Sequence, residues 1–245
     1  MSGHSKWNNI KRKKEKTDGQ KAKVFTKMAR EIAMAIKEGG SADPNANSRL
    51  KDAIAKAKAN NVPNDNIDRV IKKAAGDGNA NTYEALQYEG YGPSGIAVIV
   101  ETLTDNRNRT AGEMRHYFDK CGGNLGQTGC VSFMFNKKGV LAIEAEGQDE
   151  DDIMENALEA GASDFNADGD VFEIITEPED FSAVRDDLEE QGFSFVSAEI
   201  EMLPDVYSSI DDPDAAEKMD KLLDLLEDND DVQNVWHNWE RPDED

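Results

Sequence analysis

The amino-acid sequence predicts an α+β multidomain protein, and three observations carry that expectation. A chain of 245 residues is longer than one compact core usually organises. Apolar residues recur at three- to four-residue spacing up to Gly76, then change from about Tyr83 to the short runs typical of strands. Between Val140 and Met202 the elements read strand, helix, strand, strand, helix, strand, the βαββαβ order of a ferredoxin-like domain.

Residues 1–16 have no apolar periodicity. Trp7 and Ile10 stand among Lys6, Lys11, Arg12, Lys13, Lys14 and Lys16, a composition that orders on meeting a partner. Thr17-Asp18 offers a cap for a first helix striped by Val24, Phe25, Met28, Ile32 and Ile36, and Gly39-Gly40 ends it. A second helix is expected from Asn47-Ser48 to Asn60-Asn61, with Leu50, Ile54 and Ala57 inward. Pro63-Asn64 opens a third, striped by Ile67, Val70, Ile71 and Ala74 until Gly76. These three make an N-terminal all-helical domain over residues 1–80.

Beyond it, Ile96 to Thr102 reads as a buried strand and Arg109 to Lys120 as a helix. Val131 to Phe135 reads as a strand after the Gly-rich turn Gly122 to Gly129. In the ferredoxin-like stretch the strands are Val140 to Ala145, a hairpin of Ser163 to Asn166 with Val171 to Ile175, and Phe193 to Met202. The helices are Glu150 to Ala160 and Phe181 to Glu190. After Pro204 come a helix, Ala215 to Glu227, and a strand, Val232 to Trp236. A lone helix-strand pair cannot bury its own faces, so it is expected to return to the earlier sheet. The plan is therefore a helical domain (1–80), an α+β middle domain (81–136 plus 205–245), and an inserted ferredoxin-like domain (137–204), placed where two chain ends lie close together.

The formal charge of −23 conceals a segregation. Residues 1–80 hold 18 Lys+Arg against 9 Asp+Glu, residues 81–138 hold 6 against 6, and residues 139–245 hold 4 against 36. A basic end on an acidic protein points to a phosphate backbone as its partner. No purely apolar run is longer than the five residues of Ile96 to Val100, far short of the roughly 20 residues of a membrane span. The basic N-terminus is not followed by the apolar segment of a secretory signal. Cys121 and Cys130 alone form neither a tetrahedral metal site nor a disulfide framework. A reduced, cytoplasmic setting without a membrane partner follows as the expectation.

Several motifs imitate known chemistry. Gly90-Tyr-Gly-Pro-Ser-Gly95 spells a dinucleotide loop, but that mechanism needs a helix start after the glycines, and Ile96 begins a strand; the other reading is a turn. Asp164-Phe-Asn-Ala-Asp-Gly169 imitates an EF-hand loop, yet the position of the bidentate Glu is Ile175, and a hairpin turn explains the same residues. His116 and Cys121 are five apart and share no helix face. No catalytic constellation, metal site or cofactor site emerges, so the chain reads as a binding protein rather than an enzyme.

The binding candidates are Lys6, Trp7, Lys11, Arg12, Lys13, Lys14 and Lys16 in the arm, and Lys21, Lys23, Lys27 and Arg30 on the first helix. Cations neutralise phosphates, and an indole stacks on an unpaired base; the plainer alternative is a solubilising tail and an ordinary amphipathic helix. A second candidate is Asp105-Asn-Arg107-Asn-Arg109-Thr110, where a strand gives way to a helix. Amides at a helix start with Arg107 and Arg109 make an anion site, or simply a cap with two exposed arginines.

Five segments carry a family resemblance: Met1-Ser-Gly-His-Ser-Lys-Trp-Asn-Asn-Ile-Lys, Asn60-Asn-Val-Pro, Tyr91-Gly-Pro-Ser-Gly, Leu103-Thr-Asp-Asn-Arg-Asn-Arg-Thr and Gly122-Gly-Asn-Leu-Gly. With these the chain resembles the YebC/PmpR family of bacterial transcriptional regulators and the related mitochondrial translational activators of cytochrome c oxidase. The resemblance implies a helical first domain and two α+β domains, the third ferredoxin-like and inserted in the second. For function it implies a cytoplasmic, non-enzymatic, DNA-binding transcriptional regulator without cofactor. The alternative it carries is a ribosome-associated RNA-binding factor that eases translation of difficult stretches such as proline runs, with ribosomal RNA as the nucleic acid. The acidic third then faces away from phosphate or toward the ribosome or another basic protein partner.

Overall fold

A computed structural model describes residues 21–76 and 83–241; the expected cap at Thr17-Asp18 lies outside them. The described residues form two compact units: residues 136–203 make one, and residues 21–135 together with those from 204 onward make the other.

The larger unit begins with α1 (Lys21–Gly39), α2 (Ser48–Ala59) and α3 (Asn64–Gly76). Ile32 and Ala35 of α1, Leu50 and Ala57 of α2 and Ile67 of α3 meet in one apolar cluster, the stripe that the helical spacing dictates. Asn47 ties the corner between α1 and α2. Its Oδ1 accepts from the Leu50 amide at 3.1 Å, capping α2, while its Nδ2 donates to the carbonyls of Ala35 at 2.9 Å and Ser41 at 2.8 Å.

The same unit holds an antiparallel sheet in the order β3 (Asn124–Leu125), β1 (Glu84–Tyr91), β2 (Ala97–Thr104), β8 (Val232–His237). Ile96, Val98 and Val100 turn one face toward α4 (Arg107–Lys120) and α7 (Pro213–Asp228), where Met114, Phe118, Met219 and Leu222 are fully buried. The helix and strand after Pro204 thus return to this sheet: β8 pairs β2, with Ile99 opposite Trp236.

Three details of this unit differ from the sequence expectation, the first being strand β3 inside the expected Gly-rich turn Gly122 to Gly129. The segment expected as a strand from Val131 to Phe135 is a 3-10 turn over Ser132–Met134, and strand β4 (Phe135–Glu144) starts only at its end. The amides of Val131 and Ser132 are taken by the Glu89 carboxylate at 3.0 and 2.9 Å, so neither is free for a ladder. Strand β1, with the polar sequence Glu-Ala-Leu-Gln-Tyr-Glu-Gly-Tyr, had no apolar run to announce it. The Gly90–Gly95 segment closes the β1–β2 hairpin: Gly92 N donates to Ile96 O at 2.7 Å and Gly95 sits at φ 78°. The glycines serve a turn, as one of the two readings held.

The smaller unit is ferredoxin-like. Its elements are β4, α5 (Glu150–Ala160), β5 (Asp164–Asp168), β6 (Val171–Thr176), α6 (Phe181–Glu190) and β7 (Ser197–Pro204), with sheet order β5-β6-β4-β7. Leu141, Ile143, Phe172 and Ile174 pack against Ile153, Ala157, Phe181, Val184 and Leu188 of the two helices. Asp149 caps α5 by accepting from the amides of Asp151 and Asp152, and the acidic first turn suits the positive end of the helix. The Asp164–Gly169 segment is strand β5 and its hairpin turn, with Asp168 paired to Val171 and Gly169 at φ 58°.

Candidate nucleic-acid interface

Of the basic candidates, Lys6, Lys11, Arg12, Lys13, Lys14 and Lys16, with Trp7, lie outside the described residues. The others sit on α1 and at the start of α4. Lys23, Lys27 and Arg30 are four and three residues apart, hence on one face of α1. That face meets the end of α7, whose last carbonyls have no donor within their own helix. Lys27 Nζ donates to Glu227 O at 2.7 Å, and Lys23 Nζ donates to Asp228 O at 3.2 Å while pairing with Asp228 Oδ1 at 3.0 Å. Arg30 Nη1 donates to Asp230 O at 2.7 Å and to Leu103 O at 3.3 Å. Cations at a helix C-terminus satisfy both the carbonyls and the negative end of the helix dipole.

Asp231, 3% exposed, is the centre of this junction. Its Oδ1 accepts from Arg30 at 2.7 Å; its Oδ2 accepts from Arg109 at 2.7 Å, Thr110 Oγ1 at 2.8 Å and Thr104 Oγ1 at 3.1 Å. Burial pushes the carboxyl pKa up, but the bonds from Arg109, Thr110, Arg30 and Thr104 outweigh it and hold the group below the usual carboxylate range. Asn106 caps α4 by accepting from the Arg109 amide at 3.1 Å. The Asp231 carboxylate is held beside this helix start by side chains, those of Arg109, Thr110, Thr104 and Arg30, while the Arg109 amide goes to Asn106 and Arg107 faces Glu84.

These bonds divide the candidates. Lys23, Lys27, Arg30 and Arg109 have their head groups on acceptors within the chain. Arg107 is different: its side chain is 68% exposed, with Glu84 Oε1 at 3.5 Å. Lys21 opens α1 at an exposed position and, despite that exposure, is not without an interaction of its own.

Two buried carboxylates that organise this region escaped the sequence reading. Asp231 ends the acidic run Glu227-Asp-Asn-Asp-Asp231 and looks no different from its neighbours. What singles it out is tertiary: Leu103 N donates to Asp231 O at 2.8 Å beside a register shift at Glu101/Thr102. Glu89, 1% exposed, accepts from the amides of Gly129, Val131 and Ser132 at 2.9, 3.0 and 2.9 Å. Burial raises its pKa, and these amides, with Gln87, lower it further than burial raises it. It pins the Gly-rich loop to β1. The two thiols, Cys121 and Cys130, are both pushed up by burial, away from the reactive thiolate.

Comparison with known proteins places this architecture. The profile of the TACO1/YebC protein N-terminal domain matches residues 5–77, and that of the TACO1/YebC second and third domain matches residues 83–239. A protein of Acetivibrio thermocellus named "Probable transcriptional regulatory protein" is 63% identical over 240 residues, 98% of this chain and 99% of its own. One of the same name from Caldicellulosiruptor bescii is 60% identical over 245 residues, the full length of both. The crystal structure of a conserved hypothetical protein from Aquifex aeolicus, 44% identical, superposes with a TM-score of 0.84 over 93% of each chain. Matched by both profiles and by relatives aligned end to end, the chain belongs to the TACO1/YebC family.

Proposed function

We propose that the chain is a cytoplasmic, non-enzymatic nucleic-acid-binding protein that regulates transcription, with DNA as its target. The observation that carries this reading is the concentration of positive charge at one end: residues 1–30 hold ten Lys+Arg against Glu15 and Asp18. The name borne by its relatives, probable transcriptional regulatory protein, supports the regulatory role. In this reading Lys6, Lys11, Arg12, Lys13, Lys14, Lys16 and Lys21 neutralise phosphates, and Arg107 adds an auxiliary contact. Lys23, Lys27, Arg30 and Arg109 position α1 through their bonds to α7 and Asp231. Among the described residues no helix is long and apolar enough to cross a membrane.

Trp7 favours a second reading, an RNA-binding factor associated with the ribosome, because an indole among cations suits an unpaired base. One set of measurements tests both. The full chain is titrated with promoter duplex, scrambled duplex and single-stranded RNA across a salt series, beside a Lys11→Ala, Arg12→Ala, Lys13→Ala, Lys14→Ala variant. Four lost phosphate contacts lower the slope of log affinity against log salt by up to about 3.5. An unchanged slope and affinity in the variant would remove the arm from the interface. Crosslinking in cells, with sequencing of the bound nucleic acid, separates DNA from RNA.

A further inference from the structure

The ferredoxin-like unit covers only one face of its sheet with helices, and the other face has an unusual make-up. Strand register puts Ala142 opposite Glu173, Val140 opposite Ile175, and Glu144 opposite Val171, while Asn166 flanks Glu173 and Asp164 flanks Ile175. Since paired residues share a face, all of these lie on the side away from Leu141, Ile143, Phe172 and Ile174, which pack on α5 and α6. On β7, Ala198 and Ile200 join that helix-packed core, so alternation turns Glu199 and Glu201 to the opposite face. Val140, Ala142, Val171 and Glu173 are 2%, 0%, 3% and 5% exposed, yet none belongs to the helix-packed cluster. The result is a narrow strip of Val140, Ala142, Val171 and Ile175 with the Glu173 carboxylate buried among them on the central strands, and with Asp164 on β5 and Glu199 and Glu201 on β7 at its edges. Lys138, the only cation among the described residues of these rows, is paired with Glu177 at 2.5 Å.

We propose that this face is a docking site for the chain's own residues 1–20, and that a nucleic-acid backbone competes with it for the arm. The chemistry is complementary on two counts. Residues 1–20 carry six Lys+Arg against two acids, and they include Trp7 and Ile10, apolar side chains suited to the Val140-Ala142-Val171 strip. A 20-residue segment also extends to about 70 Å, several times the radius of a domain of this size. The acidic unit then acts as an internal polyanion that holds the arm until phosphate displaces it. The competition rests on the nucleic-acid reading above; the docking does not.

Carbodiimide crosslinking of the full unmodified chain, followed by mass spectrometry, tests the docking directly. Crosslinks are expected from Lys6, Lys11, Lys13 or Lys14 to Glu199 or Glu201, within one copy when light and heavy isotope-labelled chains are mixed. Absence of these crosslinks overturns the docking, and crosslinks only between light and heavy chains overturn the intramolecular occupant in favour of a second copy. Independently, a Glu199→Gln, Glu201→Gln variant should release the arm. If the docked state holds nine-tenths of the molecules, release raises trypsin cleavage at Lys11 to Lys16 and affinity for a duplex of arbitrary sequence about tenfold. A Glu155→Gln, Glu159→Gln variant on α5 removes equal charge and should change neither. Equal effects from both variants would reduce the docking to general repulsion. Crosslinks that persist at saturating duplex overturn the competition while leaving the docking intact, and the salt series above judges the nucleic-acid reading separately.

Discussion

Asp231 and Glu89 are carboxylates taken out of water and kept ionised by donors set around them, and such groups make stability depend on pH. Both have folded pKa values below their ordinary ones. The unfolded chain therefore binds protons first as pH falls, and the stability they contribute is complete above about pH 5 and lost as pH falls through the folded values. Urea unfolding between pH 6 and 3 should show this loss, with a shallower slope in Asp231→Asn and Glu89→Gln chains. Asp231→Asn also leaves Arg30 and Arg109 facing a neutral amide at a site 3% exposed. Removing one member of a buried charge cluster costs about 3 kcal/mol or more, to be read from the shift in urea midpoint at pH 7. A loss under 1 kcal/mol would mean that the cluster contributes little to holding α1. Neither carboxylate was legible in the sequence. Their partners lie up to 201 and 43 residues away, and nothing local distinguishes a carboxylate that meets such a partner from one that meets water.

At the scale of elements, the chain signals most of its own boundaries. Asn47, Asp149 and Asp212 cap the helices that follow them, and helices α5 and α6 fall where the apolar spacing puts them, over Glu150–Ala160 and Phe181–Glu190. Asn47→Ala removes a cap and leaves the Ala35 and Ser41 carbonyls without their donor, so a loss of about 2 kcal/mol is expected, with faster hydrogen exchange in α1 and α2. Gly139, at the centre of β4, is a different case. A Cβ there would meet Thr176 Oγ1 and come within 2.8 Å of Phe181 Cβ, so Gly139→Ala should cost about 1–3 kcal/mol by overpacking. Hydrogen exchange confined to residues 136–203 would register it, and unchanged protection there would show that Phe181 gives way. Among the segments that did not read as expected, β1 and Ser132–Met134 take a conformation that another element imposes, while the strand expected from Phe193 begins only at Ser197. β1 is polar and lies between β3 and β2, and the Ser132 turn is held by Glu89.

For the whole molecule, charge segregation is the dominant feature, and it is fully legible in the sequence. Which cations are available to a partner is not. A Lys23→Ala, Lys27→Ala variant distinguishes positioning from gripping. The Lys23–Asp228 pair is exposed, so stability should fall by less than about 1 kcal/mol, α1 should exchange faster, and the salt slope of nucleic-acid binding should stay within a few tenths. A slope lowered by about 1.8 would make both residues phosphate contacts.

The sequence by itself determined the helical first region, the ferredoxin-like order of the acidic insert, the return of the last helix and strand, and the sign of charge at each end. These are consequences of periodicity, capping and composition, which act over a few residues. Only the tertiary structure decided that Arg30 and Arg109 converge on Asp231, and that Lys23 and Lys27 close the end of α7. The partners of Arg30 and Lys27 in these bonds stand 200 residues and more away, and a hydrogen bond is set by where folding brings its two ends, not by the spacing around either one.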